Sequence, residues 1–234
     1  MQLHLTKKPK SPIIIEGFPG FGLVGTITTE FLIDHLKCEQ IGRCYFENTL
    51  PTIAIHQGEI IDPISIYYNK KANLVIIHSI TNAAGIEWQA AEMISAIVKD
   101  LDAKEIICVE GVGSPQAEGE RVFFYTTEPG IAKKLTSAGV APLGEGIIVG
   151  VTSAVLMKTI KPTSCIFAET HSNLPDSKAA ANVIKLLDKY IGLDVDPAPL
   201  IKKAQEFESK LKNIMDQASQ AQKQHENKDL RYMG

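Results

Sequence analysis

The sequence predicts an α/β fold, a mainly parallel sheet with helices on both faces, followed by a coiled-coil-like C-terminal helix. Three observations carry this expectation. Short, uninterrupted apolar runs alternate with amphipathic stretches. The amphipathic stretches carry recognisable helix starts and stops. Beyond Asp194 the composition changes, and residues 200–233 contain neither Gly nor Pro. Strand-helix-strand repetition implies right-handed crossovers and a sheet covered on both sides.

The first apolar run, Ile13-Ile14-Ile15, opens at Pro12 and closes at Glu16-Gly17. Leu74-Val75-Ile76-Ile77, Ile106-Ile107-Cys108-Val109, Ile147-Ile148-Val149 and Cys165-Ile166-Phe167-Ala168 follow. Continuous apolarity in runs this short suits strands buried on both faces. Residues 52–55 and 64–68 read as an additional hairpin, punctuated by Gly58 and Asp62-Pro63. Between the strands, Ile86, Ala90, Met93, Ile97 and Leu101 recur at spacings of three or four and form one buried stripe. Pro129 suits the first turn of a short helix that Gly139 ends. Asp176 caps a helix whose stripe is Ala180, Val183, Leu187 and Ile191, with Gly192 at its exit.

The expected organisation is an α/β domain over residues 1–193, a helical extension over 194–226 and a tail over 227–234. Asp194-Val195-Asp196-Pro197-Ala198-Pro199 is the linker and helix start. Leu200, Ala204, Phe207, Leu211, Ile214, Ala218, Ala221 and His225 then step by alternating fours and threes, a narrow coiled-coil seam. Phe207, Leu211 and Ile214 are its largest side chains. A long polar helix with so narrow a seam is marginal alone, so the expected partner is another copy of the chain. Packing along its own domain is the alternative.

Composition excludes several classes. The 234 residues include 24 basic and 27 acidic side chains, for a formal net charge of -3. This argues against a nucleic-acid binder of the usual basic kind. No apolar run approaches the roughly 20 residues that span a bilayer, and residues 1–10 lack the apolar core of a signal peptide. Cys38, Cys44, Cys108 and Cys165 form no CxxC pair, as expected of buried thiols in a reducing cytoplasm.

The segment Gly17-Phe18-Pro19-Gly20-Phe21-Gly22-Leu23-Val24-Gly25 contains Gly-x-Gly-x-x-Gly between a strand and a helix, the context of a dinucleotide fingerprint. Glu47 lies where a ribose-binding acid is expected. Pro19 supplies no N–H to a phosphate, however, and Phe18 and Phe21 put rings where a pyrophosphate needs close backbone approach. A structural strand-to-helix turn built on Gly17, Gly20, Gly22 and Gly25 is the preferred reading. Three strands end in carboxylates, Glu16, Glu110 and Glu169, at the edge where open parallel sheets form their ligand crevice. These acids are expected to converge, with His78, His171 and Arg121 nearby. Converging carboxylates share protons, hold a divalent ion or act as a general base; alternatively each accepts N–H bonds from its own loop. The sequence carries no Walker loop, Gly-x-Ser-x-Gly elbow or His-Glu-x-x-His. His56 reads as structural, and Trp88 as packing or an interface anchor. No catalytic residue, metal or cofactor is assigned.

The chain ends in Leu230-Arg231-Tyr232-Met233-Gly234, apolar side chains beside a free carboxylate. Such an end either frays or docks in a partner's pocket. Glu16-Gly17-Phe18-Pro19-Gly20-Phe21-Gly22-Leu23-Val24-Gly25 resembles the opening signature of the archaeal proteasome assembly chaperone family. Ala168-Glu169-Thr170, with Pro175-Asp176 and Ala179, Ala180 and Ala181, resembles its second signature. The resemblance spans roughly residues 13–211. It implies a nucleoside-phosphorylase-like α/β fold used for protein binding, homo-oligomers, and contact with the α-subunits of the proteasome core particle. Some members carry a C-terminal hydrophobic-Tyr-any residue motif that inserts between α-subunits. Here Tyr232 stands third from the end instead of second and Arg231 precedes it.

The function expected from these observations is a cytoplasmic, non-enzymatic, homo-oligomeric chaperone or adaptor. It binds proteasome α-subunits partly through Leu230, Tyr232, Met233 and Gly234, and binds neither nucleic acid nor membrane. The alternatives are a phosphorylase- or hydrolase-like enzyme at the carboxylate-lined crevice, and a nucleotide sensor at the glycine loop.

Overall fold

The computed structural model describes residues 1–47, 49–56, 58–113, 121–170 and 174–202, together with 212, 213 and 217. In chain order the strands are β1 (Gln2–Leu5), β2 (Ile13–Gly17), β3 (Glu39–Tyr45), β4 (Ala54–His56), β5 (Glu59–Ile61), β6 (Ile64–Asn69), β7 (Leu74–Ser79), β8 (Glu105–Gly113), β9 (Val122–Thr126), β10 (Ala141–Pro142) and β11 (Thr163–Thr170). The helices are α1 (Val24–His35), α2 (Glu87–Leu101), α3 (Pro129–Ser137), α4 (Val151–Lys158), α5 (Ser177–Ile191) and α6 (Ala198–Lys202). The described residues form one nine-stranded sheet, ordered β1-β3-β6-β7-β2-β8-β11-β9-β10, and a separate β4–β5 hairpin.

The sheet is mixed, which corrects the mainly parallel arrangement expected from the sequence. Parallel pairing is confined to β7-β2-β8-β11 and to β9–β10. β1, β3, β6 and β7 pair antiparallel in succession, and β9 runs antiparallel to β11. The reason is connection length. Only a short turn at residues 70–73 joins β6 to β7, with the Asn73 N–H donating to the Lys70 carbonyl, too short for the crossover that parallel strands require. The expected hairpin is also re-partnered: β4 pairs with β5 across Gly58, while β6 joins the main sheet between β3 and β7. Ile147-Ile148-Val149 is loop, with Ile147 93% exposed. The place beside β11 that it would need is held by β9.

Two apolar clusters sandwich the sheet. Alternation puts Ile14, Ile77, Ile106, Cys108 and Phe167 on one face, under α2 and α4. Ile15, Ile76, Ile107, Val109 and Ile166 occupy the other, under α1 and α5. The helix ends follow their local chemistry. Pro129 stands in the first turn of α3. The Asp176 carboxylate accepts the Ala179 N–H at 2.9 Å at the start of α5, and Gly192 ends that helix in the left-handed region. Val195 and Leu200 are buried in the same cluster as α5, so the packed unit continues into α6. Among the described residues, no helix is long and apolar enough to cross a membrane.

Lys212, Asn213 and Gln217 are helical and exposed. The seam residues Phe207, Leu211 and Ile214 and the tail residues Leu230, Tyr232, Met233 and Gly234 lie outside the described residues, as does His171.

Candidate functional site

The glycine segment is packed hard against its surroundings. A Cβ on Gly17 would collide with the Gly25 carbonyl oxygen, and one on Gly25 would stand 2.5 Å from the Val109 carbonyl oxygen. Gly22 has φ +62, and a Cβ there would meet Thr170 Oγ1 at 2.6 Å. The Gly22 carbonyl accepts the Asp176 N–H at 2.9 Å, tying the loop to the cap of α5. Gly20 is different: its nearest neighbours are the Glu110 carboxyl atoms, at 3.5 Å or more from a built Cβ. Glu47 does not serve this loop. It lies two residues beyond β3, which β6 and β7 separate from β2, roughly 14 Å across at the usual strand spacing. There the Glu47 carboxyl accepts from Gln2 Nε2 at 3.0 Å.

The converging carboxylates resolve into a pair and an outlier. Glu16 and Glu110 point from β2 and β8 to the α4 side of the sheet and line one pocket of about 100 Å³ with Phe18, Pro19, Gly150 and Thr152. This is the point where the chain's parallel strands diverge, with β7 on one side of β2 and β8 on the other, the usual ligand position in such sheets. Glu169 shares the strand face of Phe167 but belongs to another interaction. Arg121 grips it in bidentate fashion at 2.9 and 2.7 Å. His78 lies on the opposite face, with Nδ1 2.8 Å from Thr29 Oγ1 and Nε2 3.1 Å from Glu30 Oε2, the latter out of line for a hydrogen bond. Although this joins a hydroxyl, an imidazole and a carboxylate, Thr29 is fully buried and its hydroxyl also bonds the Gly25 carbonyl. The group braces α1 against β7.

Burial dominates the pocket's electrostatics. It pushes Glu16 up to about 8; the Cys108 thiol opposes this, the neighbouring Glu110 adds to it, and the Thr152 hydroxyl opposes it. Burial also raises Glu110 to about 7, against the Thr152 hydroxyl. Cys108 is itself held far above an ordinary thiol by its hydrogen bond with the free thiol of Cys165, its in-register neighbour on β11, and by burial. Two carboxyls titrating near neutrality can share protons or bind a cation. Thr152, Gly150 and Glu87 were not singled out from sequence. Gly150 immediately before a short apolar helix was the available signal, since Gly is tolerated at N-caps.

A second, larger cavity of about 820 Å³ lies between the end of β3, residues 49–53 and residues 80–86. Its walls include Phe46, Leu50, Ile53, Ile64 and Ile86, with Arg43 and Asp62 3.7 Å apart at its edge.

A sequence model described as the PAC2 family matches residues 14–215. An uncharacterized protein of Methanocaldococcus jannaschii is 28% identical over 211 residues, covering 89% of this chain and 87% of the relative. The crystal structure of Pyrococcus furiosus PbaA, described as an archaeal homolog of proteasome-assembly chaperone, is 29% identical. It superposes with a TM-score of 0.84 over 94% of this chain and 98% of its own. Pyrococcus furiosus PbaB, described as an archaeal proteasome activator, shares the fold at 24% identity, with a TM-score of 0.74 over 91% of this chain and 98% of its own.

Proposed function

The chain belongs to the PAC2 family, and from that premise we propose that it is a non-enzymatic chaperone or adaptor of proteasome assembly. The observation that carries this reading is the likeness to PbaA over nearly the full length of both chains. In the finer form of the proposal the protein is cytoplasmic and homo-oligomeric and contacts proteasome core-particle α-subunits. Residues 1–193 supply a rigid platform. The helical extension over 194–226, with Phe207, Leu211 and Ile214 along its seam, joins copies and carries the 227–234 tail. Leu230, Tyr232, Met233 and the carboxylate of Gly234 enter a pocket on the α-subunit surface. Burying one side chain of the Leu or Met class contributes about 1.5–3 kcal/mol, and linked copies gain by effective concentration.

The test is binding to isolated archaeal core particles and to unassembled α-subunits, with the full chain and with a variant lacking residues 230–234. The full chain binds, and the deletion weakens binding at least about tenfold per copy. Unchanged binding by the deletion variant assigns the contact to the globular domain. No binding by the full chain removes the chaperone reading altogether.

A further inference from the structure

We infer that the pocket between Glu16 and Glu110 is a binding site for one primary ammonium group, carried by a small alkylamine or by a lysine side chain. The first ground is an unmet requirement. Glu16 is 1% exposed, and its Oε1 has no hydrogen-bond partner among the described residues. A buried carboxyl oxygen left without a partner is costly, and such atoms in native proteins call for an explanation. The second is charge. Among the described residues no Lys, Arg or His lines this pocket, whereas Glu16, Glu87 and Glu110 all do. The third is position. Glu110 Oε1 stands between the strand-to-helix loop and the start of α4, 3.5 Å from where a Cβ on Gly20 would lie and 4.0 Å from one on Gly150.

The size and shape of the pocket narrow the ligand. About 100 Å³ is less than the roughly 150 Å³ of a cavity that takes up benzene, which suits the end of a side chain or a small amine and not a whole nucleoside. A divalent ion wants six or more oxygens, and among the described residues no group of three acidic, His or Cys side chains is placed to hold a metal. An ammonium has three N–H donors and no acceptor. Glu16, Glu110 and one oxygen of Thr152 or Asn82 meet them. The apolar wall of Phe18, Pro19 and Val151 suits the carbon stem behind the nitrogen.

Ammonium binding ionises the pair, so affinity rises with pH. The groups facing the pair from the elements packed against it are Glu87 on α2, Thr152 on α4 and the Cys108 thiol on β8, which stays protonated. With Glu16 near 8 and Glu110 near 7, binding is accompanied by proton release around neutrality.

The experiment is calorimetric titration of the full chain with n-propylammonium chloride and with doubly capped lysine, at about pH 6 and about pH 8.5. Tetramethylammonium and magnesium chloride are the controls, and Glu16→Gln and Glu110→Gln are the variants, their folding verified by circular dichroism. Saturable propylammonium binding, at least tenfold tighter at the higher pH and at least tenfold weaker in either folded variant, supports the assignment. Equal binding by capped lysine points to a protein side chain as the source, and binding of propylammonium alone to a free amine. No saturable binding of either amine at about pH 8.5, equal binding of tetramethylammonium, tighter binding of magnesium, or unchanged binding in Glu110→Gln overturns it.

Discussion

Replacing Gly25 with alanine tests how the strand-to-helix loop holds α1 against the sheet. The added Cβ would lie 2.5 Å from the Val109 carbonyl oxygen and 3.1 Å from both Gly17 Cα and the Phe18 carbonyl oxygen. All three are backbone atoms, so no side chain can swing aside. A comfortable carbon–oxygen approach is about 3.3 Å, which leaves α1 to back away from β8 by about 0.8 Å. Overpacking of this kind costs about 1–3 kcal/mol. Because Gly25 lies within α1, alanine recovers up to about 1 kcal/mol of helix propensity. The expected net loss is about 1–2 kcal/mol, or a melting temperature lower by about 2–8 °C for a domain of this size. Gly20→Ala is the control, since its Cβ meets only the Glu110 carboxyl at 3.5 Å or more and its φ of -139 suits any residue. It should stay within about 0.5 kcal/mol of the parent. Urea denaturation of the three proteins decides the matter. A Gly25→Ala protein as stable as the parent, or a Gly20→Ala protein equally weakened, refutes the packing argument.

Two further outcomes are expected. Asp176→Ala removes the side-chain acceptor for the Ala179 N–H at the start of α5 and should destabilise by about 1 kcal/mol, read as a lower urea midpoint at constant slope. Glu16 carries a folded value of about 8 against an ordinary 4.5. The folded state therefore keeps a proton that the unfolded chain has released. Its contribution is intact below about pH 4.5 and lost as pH rises to about 8, at about 1.4 kcal/mol per unit as an upper bound. Glu16→Gln should gain on the parent by several kcal/mol between those two pH values, and an equal stability difference at both would show that Glu16 is not the titrating group.

Much of the parallel centre was legible because its strands are buried on both faces and read as plain apolar runs. The α5 helix was legible at both ends because Asp176 and Gly192 act locally, through one hydrogen bond and one left-handed residue. β3 and β9 were not, since strands that alternate exposed with buried positions, as Arg43 and Cys44 do, lack a continuous run. Ile147-Ile148-Val149 misled for the opposite reason: an apolar run becomes a strand only where a sheet edge is free. The Glu16–Glu110 pair was visible because each residue directly follows the apolar run of one of two adjacent parallel strands. Its partner Thr152 was not, because α4 is short and apolar nearly all round. Glu169 left the group through its pairing with Arg121 beside β9, and antiparallel pairing across that distance leaves no mark in a local pattern.

The position of β2 also governs how the chain reaches its native state. β2 is made early yet lies at the centre of the sheet, with Ile14 beside both Val75 and Ile106. During synthesis its two edges stay open until β7 and then β8 have emerged, while Ile14 and Ile15, fully buried at the end, wait without cover. Closing such distant pairings costs loop entropy before any contact repays it, which slows folding relative to a chain of the same size with local pairings. The antiparallel ribbon of β3, β6 and β7 forms from nearer segments and supplies the first edge on which β2 can settle. Refolding from denaturant should accordingly be limited by the docking of β8 onto β2.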